Sequence, residues 1–219
     1  NTYVTAVVAN TSITVNELLL DHTTSSPLVT LLDTLTANAD VSATILKSYR
    51  VKLTQTTVKY FTVVSSSNSG GTTTITFIHS TDYTLVNAAI SLTFYSPLAS
   101  PSGSPMWFAY VGAPLGFSTE PPTQSCKFMP IGSTMFLLTS FSGVSVSNAT
   151  TFTSSAPIAT TAVISSINTV TQDNSVTLDA AARSSLLTAG ARTLTHRTNM
   201  TTGAWTAANA KAVGTVIVF

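Results

Sequence analysis

An all-β chain, folded as an antiparallel two-sheet sandwich with one or two short helices, is what this sequence predicts. Two observations carry that expectation. Short runs with apolar and polar residues in strict alternation recur along the chain, and side chains that alternate in this way belong to half-buried strands. Roughly a third of the residues are Ser or Thr, a composition that favours strands and turns over helices. The runs are separated by Pro-, Gly- and Ser-rich breaks with few helical intervals, which is the pattern of antiparallel strands joined by turns.

Thr2–Ala9 and Ser12–Leu20 read as strands around the Asn10-Thr11 turn, and Asp21–Pro27 as a loop. Leu28, Leu31, Leu32 and Leu35 have helical spacing, so Leu28–Thr36 is expected as a short helix. Val41–Val64 lacks Gly and Pro and divides into strands Ala43–Leu53 and Thr57–Val64, with the bend at Thr54-Gln55-Thr56. Ser65–Gly71 reads as a hairpin loop before the strand Thr72–His79. The centre of the chain holds Ile90, Leu92 and Phe94 in alternation, the aromatic run Met106–Val111, and the strand Ser133–Leu138. The aromatic run has apolar residues on both faces and is expected to be covered on both. Ile90, Leu92, Phe94, Trp107, Phe108, Phe136 and Ile217 are the expected core. Further strands are expected at Val144–Val146, Thr151–Phe152, Thr160–Val170 and Gly214–Phe219. Ala180–Ala189 is expected as a helix, capped by Asp179 and ended by Gly190, because Ala has the best helix propensity and Gly suits the position past the end. Trp205–Ala212 is left open between a helical turn and a strand. No repeat or composition break divides the chain, so residues 1–219 are expected to form one domain.

Charged residues make up only 8% of the chain against 44% hydrophobic, and the formal net charge is +1. A surface this poor in charge is expected to be hidden against neighbours, although a secreted Ser/Thr-rich module has the same composition. No apolar run approaches the roughly 20 residues of a membrane helix, so no membrane insertion is expected. Cys126 is the single cysteine; it cannot form an intrachain disulfide and is expected to be a small structural residue.

No catalytic residues, metal site or cofactor are expected. His22, His79 and His196 lack ligand spacing and are placed on the surface or in loops, and no Gly-x-Ser-x-Gly elbow is present. The carboxylate pairs Asp33/Asp40 and Asp173/Asp179 suit loop caps better than a shared Ca²⁺. Two basic groups remain. Lys47, Arg50, Lys52 and Lys59 fall close together with no acid among them, and Arg50 and Lys52 share one strand face, opposite Val51 and Leu53. Arg183, Arg192, Arg197 and Lys211, with His196, form the second group. Either group suits sequence-nonspecific phosphate contact, or a solvated strand face.

Three pieces of the centre, Leu92–Pro101, Trp107–Pro114 and Phe128–Gly132, follow one another as a strand with a Pro-rich turn, a Trp-containing strand closed by Pro, and an aromatic-x-x-Ile-Gly strand. This order resembles the second half of the jelly-roll coat proteins of small icosahedral plus-strand RNA viruses, tymovirus-like ones in particular, over about a quarter of the chain. The resemblance implies a capsid subunit with a jelly-roll shell domain. It also implies self-assembly into an icosahedral shell, packaging of genomic RNA, no cofactor, and a place in the virion. The chain departs from many such proteins in one respect: Asn1–Asp21 carries no Lys or Arg, so RNA contact falls to the folded domain or to an arm outside this sequence. The competing expectation is a secreted or cell-surface β-sandwich that binds carbohydrate or a host surface, stacking sugars on Trp107, Tyr110 and Trp205.

Overall fold

The structure, a computed structural model, describes residues 4–5, 13–16, 32–86, 88, 90–144, 146–147, 149–178, 183–201, 203–207 and 210–219. Among them every regular element is a strand, and the two main sheets are antiparallel, as expected for the sandwich class. By the density of backbone contacts the chain falls into two compact units, Asn1–Phe108 with Pro130–Ser133, and Ala109–Met129 with Thr134–Phe219.

The first unit is built on a seven-stranded sheet. Its strands are β1 (Val4–Thr5), β2 (Ile13–Asn16), β3 (Leu32–Ala37), β4 (Arg50–Thr54), β5 (Val58–Ser69), β6 (Thr72–Ile78) and β7 (Leu92–Ser96), in the order β1-β7-β4-β5-β6-β3-β2. Strands β4, β5 and β6 form a meander, and β7 returns to pair with β4, which makes β7-β4-β5-β6 a Greek key. The alternation in sequence explains the burial. Val51 and Leu53 on β4, Phe61 and Val63 on β5, and Ile75 and Phe77 on β6 all turn to one face, where they meet Leu35, Ile45 and Leu85 in a buried core. Gly70 and Gly71 close the β5–β6 hairpin at φ of 59° and 82°. Two successive positive φ values define a turn whose twist matches the strands, and glycine reaches them without steric cost. Ser65–Ser69, expected as loop, therefore stays paired in β5, and the turn shrinks to the two glycines.

The remaining strands are β8 (Phe108–Ala109), β9 (Phe117–Thr119), β10 (Thr123–Ile131), β11 (Thr134–Ser142), β12 (Val146–Ser147), β13 (Phe152–Ser155), β14 (Ile164–Asp173), β15 (Val176–Thr177), β16 (Ser184–Leu187), β17 (Thr193–His196) and β18 (Ala212–Val218), which belong to the second unit except for Phe108 and for Pro130 and Ile131. The main sheet runs β13-β17-β16-β14-β18-β11-β10-β8, β15 pairs with β14, and β12 pairs with β9 apart from it. Leu137, Phe141, Val213 and Ile217 are buried from the central pair β11–β18, with Phe128, Phe152, Leu187, Leu194 and Trp205 from elsewhere in the unit.

Several expectations need correction. The Ala180–Ala189 helix is not formed: residues 179–182 lie outside the described residues, Ser184–Leu187 is β16, and Gly190 sits in a turn. The segment pairs with β14 on one side and β17 on the other, burying Ser184, Ser185 and Leu187. Two ladders of backbone hydrogen bonds and that burial outweigh a propensity preference of a few tenths of a kcal/mol per residue. Likewise Leu28–Thr36 is not a helix over its described part, because β3 pairs with both β2 and β6. The expected strand Ala43–Leu53 begins only at Arg50; residues 42–48 turn, with the Thr44 and Ile45 amides donating to the Val41 carbonyl. The aromatic run is not covered on both faces: Phe108 is buried, but Met106, Trp107 and Val111 are exposed. Of the expected core only Phe108 and Ile217 are buried; Ile90, Phe94 and Phe136 are half-buried, and Leu92 is 53% exposed. The expected N-terminal strands are described only at Val4–Thr5 and Ile13–Asn16; their remaining residues lie outside the described ones, as does His22.

Candidate nucleic-acid interface

The first basic group separates once it is folded. Lys47 is exposed in the turn before β4. Arg50 and Lys52 do share a face, because they alternate with core residues Val51 and Leu53. Lys59 does not join them. It stands opposite Leu53 on β5, on the core side, and its Nζ donates to the Thr84 carbonyl, leaving the residue buried.

The face shared by Arg50 and Lys52 is organised in rows across β7, β4 and β5. The pairing sets Ser96, Arg50 and Thr62 side by side, then Phe94, Lys52 and Tyr60, then Leu92, Thr54 and Val58. The Arg50 row is closed. Arg50 is 2% exposed, its Nη1 donates to Thr62 Oγ1 at 2.6 Å, its Nη2 to the Pro130 carbonyl at 2.7 Å, and its Nε to the Ala99 carbonyl at 3.0 Å. The guanidinium also lies over the Phe108 ring, 5.2 Å from its centroid. A buried cation held by oxygen acceptors and an aromatic face is part of the fold.

The Lys52 row is half-open. Its ammonium lies between two rings, 5.6 Å from the Phe94 centroid and 5.9 Å from that of Tyr60, within the range where the ring quadrupole attracts a cation. Tyr60 meets Tyr83 edge-on at 5.4 Å, and Tyr83 meets Phe108 edge-on at 6.1 Å. Burial, with Asp82 adjacent, raises the Tyr83 phenol above its ordinary range, so it stays neutral at neutral pH. Leu92 and Val58 in the next row are exposed. The rows contain no carboxylate; Asp82, beside Tyr83, is exposed. The result is an aromatic and apolar strip with one lysine in it.

The second basic group is also divided. Lys211 is buried; its Nζ bonds Asp173 Oδ1 at 2.9 Å and the Thr206 carbonyl, and lies 5.5 Å from the Trp205 ring centroid. Arg192 donates from Nε to the Ala156 carbonyl at 3.2 Å, and partial burial lowers its pKa. Arg183 and Arg197 are half-buried where β16 begins and β17 ends, the Arg197 amide donating to the Ser184 carbonyl. Asp173 thus serves an ion pair, and Asp40 caps a turn by accepting from the Ser42 amide and hydroxyl.

His196, expected on the surface or in a loop, is buried at the end of β17. It belongs to a relay that takes one side chain from each of four adjacent strands. The Ser185 hydroxyl is 2.6 Å from Asn168 Oδ1, to which it donates, so its oxygen accepts from His196 Nδ1 at 2.7 Å. His196 Nε2 then accepts from the Ser154 hydroxyl at 2.9 Å, and Asn168 Nδ2 donates to the Ser184 carbonyl at 3.3 Å. Phe152 lies 4.7 Å and Phe141 5.8 Å from the imidazole, centroid to centroid, and Trp205 Nε1 donates to the His196 carbonyl. Burial pushes the imidazole pKa down to about 3. Ser154 and Ser185 are buried as well, so the relay ties β13, β17, β16 and β14 together. Cys126 is buried too, and desolvation pushes its thiol up to about 12, which leaves it an unreactive protonated thiol at neutral pH.

Among the described residues no group of three or more His, Cys, Asp or Glu converges, and no helix is long and apolar enough to cross a membrane. No protein-family model, curated protein or solved structure gives a significant match to this chain.

The aromatic partners of Lys52 are absent from the sequence reading. Tyr60 was within one residue of its reach, since the expected bend Thr54-Gln55-Thr56 sets position 52 opposite 58, and the bend forms one residue later, with Thr54 opposite Val58. Phe94 was not, because β7 pairs with β4 across some forty intervening positions.

Proposed function

We propose that this chain is a structural coat subunit that assembles with copies of itself into a closed shell around RNA, with its place in the virion. The supporting observation is the character of its surface. Only 8% of the residues are charged, and large apolar side chains stand exposed on strands and loops of both units. Leu92, Leu98, Met106 and Trp107 do so in the first, and Ile167, Val170, Val216 and Val218 in the second. Ordinary monomers keep such surface small and dilute it with charge, whereas subunits of permanent assemblies bury it against one another. An all-β chain with a Greek key is compatible with that role. RNA contact falls to cations that keep some exposure, Lys47 and Lys52 in the first unit and Arg183 and Arg197 in the second.

The test is the size of the purified protein by light scattering and electron microscopy. Closed particles in the megadalton range support the coat reading. A stable 22.8 kDa monomer overturns it and favours the carbohydrate-binding surface module. That module has lost two of its three stacking rings, since Tyr110 and Trp205 are buried and Trp107 is exposed.

A further inference from the structure

We infer that the Phe94–Lys52–Tyr60 row is a stacking platform for single-stranded RNA, on which bases lie against the rings and a phosphate meets the lysine. The inference rests on the coat reading only for the source of the strand; its chemistry comes from the row itself. Three features converge. The residues lie on adjacent strands at directly opposed positions, so the sheet presents both rings along one line with the ammonium between them. Both rings are half-buried, which fixes their orientation while leaving surface for a ligand, and Tyr83 buttresses Tyr60 from the side. The open rows hold one cation, Lys52, and no acid, so their charge complements an anion.

The same features separate candidate ligands. A sugar needs several hydrogen-bonding groups beside the stacking ring, and apart from the Lys52 ammonium the open rows offer only the hydroxyls of Thr54 and Tyr60. Duplex RNA hides its base faces in the stack and presents phosphate and 2′-hydroxyl, which two aromatic rings do not recognise. Single strands expose π-faces and phosphates together, and sheet-borne aromatics flanked by cations bind that combination with little sequence preference. Arg50 has a part in this without touching the strand: it fills the row behind Lys52 and fixes the face.

The experiment measures fluorescence anisotropy of a labelled oligouridylate of about 12 nucleotides against the assembled or unassembled protein, with a duplex of equal length and heparin as competitors. The expected result is a preference for the single strand over both. Tyr60→Leu and Phe94→Leu should each weaken it about 5- to 100-fold, the range of one lost base–ring stack. Lys52→Gln should lower the salt slope by about 0.7, the value for one phosphate contact on a single strand. Lys52→Gln carries the test if the ring variants do not fold, as judged by thermal melting. Equal affinity for duplex or heparin, or folded variants that bind like the parent, overturns the inference. Shells that form and package unchanged RNA with Tyr60→Leu would leave the coat reading standing and remove the platform. Oligouridylate binding without any shells would do the opposite.

Discussion

Arg50 and Lys52 are two positions apart on one strand face and have opposite environments, so they should respond differently to the same substitution. Arg50 spends its donors on Thr62, Ala99 and Pro130 inside the fold. Arg50→Gln leaves at least two of these acceptors without a partner, and urea unfolding should show a loss of about 2–4 kcal/mol. The half-open Lys52 should lose less than about 1 kcal/mol as Gln. The exposed Trp107 follows the same logic: Trp107→Ala should shift the melting temperature little, where a core tryptophan would cost about 3–5 kcal/mol. His196 couples residue to pH. Its pKa is about 3 in the folded state against about 6.5 unfolded, so between those values the unfolded chain binds more protons. The stabilisation is complete above pH 6.5 and falls by up to about 1.4 kcal/mol for each pH unit below it, down to about pH 3. Urea unfolding of the parent and of His196→Gln across pH 3–7 checks this. The parent should show the steeper acid loss, and equal slopes would mean that the relay does not exclude the imidazolium.

Elements in this chain are decided by their partners. Segment 184–187 follows an Ala-rich stretch and nevertheless forms β16, because Ser185 and Leu187 are more useful between β14 and β17 than on a helix. Ser185→Ala should therefore act on the whole edge β13-β17-β16. It removes the acceptor of His196 Nδ1 and the donor to Asn168, and should cost about 1–3 kcal/mol with faster amide exchange in β13 and β17. The loop into β9 has a different dependence. Gly116 sits at φ 106°, and a Cβ there would lie 2.2 Å from the Thr151 carbonyl oxygen, next to the Leu115–Thr153 bridge. Gly116→Ala should cost at least about 2 kcal/mol by thermal melting, through backbone strain together with the clash. Little change would mean that the loop rearranges freely.

At the scale of the molecule, two kinds of contact are proposed and salt should pull them apart. Subunit contacts through exposed Leu, Ile, Val and Trp side chains are apolar and should persist, or strengthen, at high salt. Contacts between phosphate and a few lysines and arginines should weaken with each step in salt. Particles moved from about 0.1 to 0.5 M NaCl should keep their size by light scattering while the ratio of absorbance at 260 and 280 nm falls. Disassembly at high salt, with RNA content per intact particle constant, would place the ion contacts between subunits instead.

What the sequence determined by itself was the class of fold and much of its punctuation. The alternation around Val51, Leu53, Phe61, Ile75 and Phe77 fixes which face of each strand is buried, because a strand has only two faces. The bend at Gln55, the Gly70-Gly71 turn and the terminal strand are equally local, since they depend on backbone geometry a few residues wide. Tertiary structure alone decided the rest. The described parts of two expected helices, from Leu32 and from Ser184, are strands instead, where a neighbouring strand edge was open. It also decided which charges are available. Lys59, Arg50 and Lys211 look like surface cations in sequence, but each finds a carbonyl, hydroxyl or carboxylate that arrives from residues 5 to 80 positions away. Lys52 keeps a half-open place, and Phe94, brought in by the long return to β7, stands beside it. Local sequence sets the face on which a side chain lies, and long-range pairing sets what it meets there.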